Sequence, residues 1–176
     1  MSVVPVGKNS VSQRQVESPL PDVMGLGGAI AGLGGGVAMA IIAAILSVSI
    51  GHDMWYQPKV ISSLVLGQQV LVDQGFAVGP VLVGTLIHLV VSTILGAIFG
   101  ILTGRVLHLP SDFGVPLVAG LVYGLMIWLV AYFVVVPGIA PRLLEVYPPT
   151  FIIQNVVYGI VTGLLYGWLR PRPYHP

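Results

Sequence analysis

Four long stretches of this chain carry no Lys, Arg, Asp or Glu in their interiors, and this limits the fold more than any other feature. A bilayer core of about 30 Å is spanned by roughly 20 apolar residues in a helix, because lipid offers the backbone no hydrogen-bond partner and a helix satisfies its own. Crossings are expected at about 24–50, 78–107, 115–136 and 150–169, with Arg105 at the end of the second. The first two exceed the minimum length and must tilt, kink or project. Only 7% of residues are charged and 56% are hydrophobic, whereas about a quarter of a soluble domain is charged. The expected fold is all-α: an integral membrane four-helix bundle over 24–169, with a polar tail at 1–23 and a short tail at 170–176.

Seven basic and six acidic residues leave a net charge of +1. No field exists to hold nucleic acid. Cysteine is absent, which removes thiol nucleophiles, iron–sulfur clusters and cysteine-type zinc sites. Basic residues are retained on the cytoplasmic side of membranes. The side shared by both tails and the 105–114 loop holds Lys8, Arg14, Arg105, Arg170 and Arg172, against Lys59 and Arg142 on the other, so both termini are expected in the cytoplasm. Trp55, Tyr56 and Tyr147 then mark the outer interface, and Trp168 and Tyr174 the inner one. The first apolar run is about twice the 7–15 residues of a signal peptide, so the first helix is expected to stay.

After Trp55 and Tyr56, Pro58 can open a helix. Ile61, Leu64, Val65, Leu71 and Val72 recur near helical spacing while Lys59, Ser62, Ser63, Gln69 and Asp73 take the other side, which predicts a short interfacial helix over 58–73. The plainer alternative is a hydrophobic loop packed on the bundle. Four prolines in 137–149 leave room for one or two turns there.

The halves of the chain echo one another. His88, Ser92, Gly96, Gly100 and Gly104 stand at steps of four in the second crossing, as Asn155, Gly159, Gly163 and Gly167 do in the fourth. Aligned, His88 falls on Asn155, and each repeat is a helix pair. Small residues also recur at Gly28, Gly32 and Gly36 in the first crossing and at Gly120 and Gly124 in the third. Glycine allows close backbone approach between membrane helices. These seams either close the bundle or dock another integral membrane subunit, the second being attractive for the first helix, where Gly34 and Gly35 add to the smooth side.

His88 lies about 15 Å inside its helix at 1.5 Å per residue. Intramembrane ionisable groups point to function by default. Ser92, Trp128, Tyr132, Gln154, Asn155 and Tyr158 are expected in the same half of the bundle. Two readings stay open: a polar site with His88 as proton acceptor or axial ligand to haem or chlorophyll, or a neutral histidine bonded to Asn155 or a tyrosine and holding helices in register. A bis-histidine haem lacks its second ligand, and His52 with Asp53 reads as a solvated pair. No catalytic constellation, HExxH motif or phosphate-binding loop is present, and no buried charge supplies a transport relay.

The Gly-rich first helix, the H-L-V-V-x-x-x-x-G-x-x-x-G pattern from His88, the G-L-V-Y-G-L-x-x-W pattern from Gly120 and the Gly-rich last helix together resemble a loose class of small uncharacterised bacterial inner-membrane proteins. The resemblance implies a four-helix protein of the bacterial inner membrane and no established activity. The expected function is a non-enzymatic accessory subunit of a larger respiratory or photosynthetic complex, docking through Gly28, Gly32 and Gly36. Alternatives are a small oligomeric channel or carrier lined by His88, Ser92 and Asn155, and a haem- or chlorophyll-binding subunit using His88.

Overall fold

A computed structural model describes residues 23–72, 75–109, 114–139 and 148–169. The polar tails, Asp73, Arg142 and Tyr147 lie outside them. The elements are α1 (Val23–Ser49), α2 (Tyr56–Leu66), α3 (Val78–Ile101), α4 (Gly114–Val130), α5 (Val136–Ile139) and α6 (Pro148–Leu169). A 3-10 turn covers Gln68–Leu71, and π-helical turns extend α3 over Leu102–Val106 and join α4 to α5 over Ala131–Val135. The segments Gly25–Ser49, Val78–Val106, Gly114–Gly138 and Pro149–Leu169 are long and apolar enough to cross a membrane. The chain folds as a four-helix bundle of multi-pass type.

Prolines sit where helices tolerate them. Pro80, Pro116 and Pro149 fall in first turns, where no N–H is needed for the ladder. Pro137 has no N–H to donate, and the turn before it, Ala131–Val135, is π-helical.

Glycine sets the packing. α1 packs against both α3 and α6, and α6 packs against α4. A Cβ on Gly32 would lie 2.5 Å from both Ser92 O and Gly96 Cα; one on Gly28 would lie 2.9 Å from Gly100 Cα. The second pair repeats this contact set: a Cβ on Gly120 would meet Gly159 O and lie 2.8 Å from Gly163 Cα. Ser92 thus corresponds to Gly159 and Gly96 to Gly163, the register in which His88 aligns with Asn155. Across the pairs, Gly35 faces Tyr158 and Thr162. Phe99 is 1% exposed and stands between Tyr123 and Tyr166, with ring centroids 5.2 and 5.5 Å away.

The segment after α1 holds the expected short helix, with a different end. The helix expected over 58–73 ends at Leu66, because Gly67 takes φ +86 and breaks it. Its buried face is also the polar one: Lys59, Ser62 and Ser63 turn inward with Val60, while Leu64 and Val65 are exposed. Ser62 Oγ donates to Lys59 O and Ser63 Oγ to Val60 O, so the hydroxyls bring no unsatisfied donor inside. The polar groups can turn inward because each is bonded there: the serine hydroxyls to their own helix, and Lys59 to Asp53 and Gly75. Small serines let α2 approach α3, where Gly84 lies directly against Pro58 O.

Candidate functional site: an apolar cavity beside His88

At the end of the bundle where α1 finishes and α3 and α6 begin, α2 does not fill the space between them. A cavity of about 450 Å³ remains. Ala40 and Ala44 of α1, Trp55 and Pro58 at the start of α2, His88 of α3, and Phe151 and Gln154 of α6 form its walls. Small side chains on α1, Ala40, Ala43 and Ala44, leave the space open. Val37, Ile41 and Met54 also line it and are 46%, 57% and 49% exposed. The cavity therefore opens sideways, past residues that face lipid in a bilayer.

His88 supplies one polar edge. Its Nε2 lies 2.9 Å from Gly36 O. A carbonyl only accepts, so Nε2 carries the proton and donates, and in the neutral ring Nδ1 keeps its lone pair. Gln57, Thr85 and Gln154 are the other polar residues of its lining; Gln154 is 3% exposed, and its Nε2 is enclosed without a partner among the described residues. A buried donor left unpaired costs about 1–3 kcal/mol.

The residues expected to form one polar cluster occupy three places. Ser92 and Tyr158 do meet: Tyr158 Oη donates to Ser92 O at 2.8 Å. His88 and Asn155 share no hydrogen bond; His88 bonds to α1, and Asn155 Nδ2 donates to Phe151 O in its own helix, 2.8 Å away. The two correspond in the repeat and so stand in different helix pairs, which separates them. Trp128 belongs to an aromatic group with Tyr132 and Phe133. Gly28, Gly32, Gly36, Gly96, Gly100, Gly159 and Gly163 line seams within the chain. A partner subunit could reach Gly28, Gly32 and Gly36 only by displacing α3, so the surface expected to dock a partner is spent on folding.

The outer segment holds an ion pair that hydropathy hides. Lys59, 2% exposed, donates through Nζ to Asp53 Oδ2 at 3.0 Å and to Gly75 O at 3.1 Å. Gly75 N donates to Asp53 Oδ2 and Trp55 N to Asp53 Oδ1. His52 stacks on Tyr56, centroids 4.1 Å apart. His52 and Asp53 are therefore two separate contacts, and the solvated pair is corrected. Burial pushes the Asp53 carboxyl up, but the bonds from Lys59, Gly75 and Trp55, with the Lys59 charge, outweigh it and hold its pKa below the usual value. The result is a latch that joins Asp53, Lys59 of α2 and Gly75.

Among the described residues no group of three His, Cys, Asp or Glu could hold a metal ion. For haem or chlorophyll, only His88 Nδ1 remains as a donor, since Nε2 is committed to Gly36 O.

Residues 23–176 match the family described as a family of unknown function, DUF6789, and the chain belongs to that family. No curated protein and no solved structure matches it.

Proposed function

We propose that this chain is a non-enzymatic multi-pass membrane protein that holds a lipid-soluble molecule in the cavity beside His88. The observation that carries this reading is a space of about 450 Å³, walled by four elements, that opens past exposed apolar residues. Ligand sites commonly have about this size, with apolar walls and few polar groups. To test it, the protein is isolated in discs of native membrane and its retained molecules are extracted. One apolar compound per chain is expected, and Ala44→Trp, which fills the cavity, removes it. Identical retention in both proteins would sink the reading.

The accessory-subunit role in a respiratory or photosynthetic complex is the second reading. Its support is now α4, whose extensive packing against another crossing is confined to α6 and whose span is 11% buried. Gentle extraction through a C-terminal tag would recover a larger complex in stoichiometric amount; recovery of this chain alone removes the role. An oligomeric channel loses support within one subunit, because Ser92 and Asn155 are spent in the seams rather than lining a passage. A pigment at His88 would be marked by a visible absorption band that His88→Ala abolishes.

The protein is further proposed to lie in a bacterial inner membrane with both termini cytoplasmic, supported by the excess of Lys and Arg on the side of the tails. A fluorescent protein fused to the C-terminus then folds and an alkaline phosphatase fusion stays inactive. The opposite pair of results inverts the topology.

A further inference from the structure

The cavity wall holds one polar group that can only accept. His88 gives its Nε2 proton to Gly36 O, 2.9 Å away, so in the neutral ring Nδ1 offers a lone pair and no proton. Nδ1 accepts from no described residue and, unlike Gln154 Nε2, is not shut off by the chain. Gln57, Thr85 and the Trp55 indole also line the cavity, and their side chains make no hydrogen bond among the described residues. The indole N–H only donates, whereas the Gln57 amide and the Thr85 hydroxyl work in either sense. The wall therefore offers a ligand donors and acceptors together, with His88 as the acceptor of fixed sense. Gln154 Nε2 is enclosed and takes no part. No charged side chain is among the lining residues, and Lys59 is paired with Asp53.

A ligand that fills this space also displaces water from Nδ1, so its polar end has to bring a proton. We propose that the cavity takes an uncharged, lipid-soluble compound with a hydroxyl end, whose O–H donates to His88 Nδ1 while its tail leaves toward lipid past Val37 and Ile41. This rests on the binding reading above and adds the chemistry of the bound end. A ketone, ester or ether accepts from Trp55, Gln57 or Thr85 but leaves the His88 lone pair unpaired. An ammonium donates, but it would be buried with no carboxylate in the wall, which is costly. An amide needs two separate sites for its N–H and its carbonyl, whereas a hydroxyl donates and accepts at one atom. The alcohol of a lipid and the O–H of a long-chained phenol share the required chemistry.

The test uses the full chain in detergent, with Trp128→Phe and Trp168→Phe leaving Trp55 in the cavity wall as the only tryptophan. 1-Bromododecane, a heavy-atom quencher without a polar end, is titrated against Trp55 emission. 1-Dodecanol, dodecyl methyl ether, methyl laurate, lauramide and 4-nonylphenol then compete with it at equal mole fraction in the micelle. Alcohol and ether carry the same accepting oxygen, so their difference isolates the donated proton. The expected result is saturable quenching, with 1-dodecanol displacing the bromoalkane about tenfold better than the ether or the ester does, the size of one buried hydrogen bond. His88→Phe brings alcohol and ether to the same affinity. Where that variant does not fold, a nitrogen-15 histidine label in the parent reports instead: the alcohol moves one unprotonated ring-nitrogen resonance and the ether does not. The tighter of dodecanol and nonylphenol tells an aliphatic alcohol from a phenol. Equal displacement by alcohol and ether, preference for the ester or the amide, an alcohol advantage that survives in His88→Phe, or a histidine resonance that stays in place overturns the hydroxyl assignment while leaving the site. Quenching that does not saturate removes the binding reading itself.

Discussion

Tyr158 Oη donates a 2.8 Å hydrogen bond to Ser92 O, joining residues 66 positions apart. Tyr166 Oη does the same to Gly100 O at 3.1 Å, with the same separation. Equal separations mean that α3 and α6 run parallel and in one register over two turns. Tyr123 Oη adds a third bond from α4 to Leu95 O. α3 is thus tied to the second helix pair by three tyrosine hydroxyls, each aimed at a backbone carbonyl and indifferent to the side chain there.

Removing the Tyr158 hydroxyl costs one hydrogen bond and little packing. Tyr158→Phe should lower stability by about 0.5–1.5 kcal/mol, read by denaturant titration in mixed micelles. Tyr158 and Tyr166 are about 12 Å apart along α6, so the double variant with Tyr166→Phe should lose close to the sum of the two. A double variant as stable as the parent means that these bonds do not hold the pairs together.

The glycine seam makes a stronger demand. Gly32→Leu places a side chain where even a Cβ lies 2.5 Å from Gly96 Cα, and overpacking of this kind costs about 1–3 kcal/mol or more. Gly79→Ala is the control, because its Cβ meets nothing within 4 Å. Thermal unfolding should show a lowered midpoint for the first variant and none for the second. If both match the parent, α1 and α3 are not in contact.

The two helix pairs should respond alike. Gly32→Ala and Gly120→Ala press on equivalent carbonyls and Cα atoms in their own seams, so their midpoints should fall by similar amounts. A harmless Gly120→Ala beside a damaging Gly32→Ala would show that the pairs are not built on one register.

The outer latch has a signed pH dependence. Folding lowers the Asp53 pKa, despite burial that acts the other way. Its contribution is therefore present above the usual carboxylate range, near 3.9, and is lost as pH falls through the lowered folded value. Trp55 N donates to this carboxylate, so Trp55 emission should change only below that range. Lys59→Met should move the change to higher pH, and Asp53→Asn should abolish it. A transition that persists in Asp53→Asn would assign it to another group.

Much of the architecture was legible because a bilayer imposes one rule on the backbone. Four uncharged stretches of sufficient length had to be helices, and the described spans fall within a few residues of the expected boundaries. The paired seams were legible as well, since glycines at steps of four mark close approach, and the alignment of His88 with Asn155 carries over into contact register. Around α2 the expected short helix is present but ends early, at Leu66. Alternation of polar and apolar residues identifies a face, but beside a membrane it does not say which face turns inward.

The sequence by itself determined the four crossings, the absence of charge within them and the small-residue stripes, because these follow from local composition and from the cost of exposing a backbone to lipid. Only the tertiary structure decided which stripes meet, that Gly28, Gly32 and Gly36 are used inside the chain, that His88 bonds to Gly36 rather than Asn155, and that a cavity opens beside His88. Those outcomes depend on which helices become neighbours and how far they rotate. A rotation of one residue about a helix axis, roughly 100°, exchanges the groups that line a site while leaving the hydropathy profile the same.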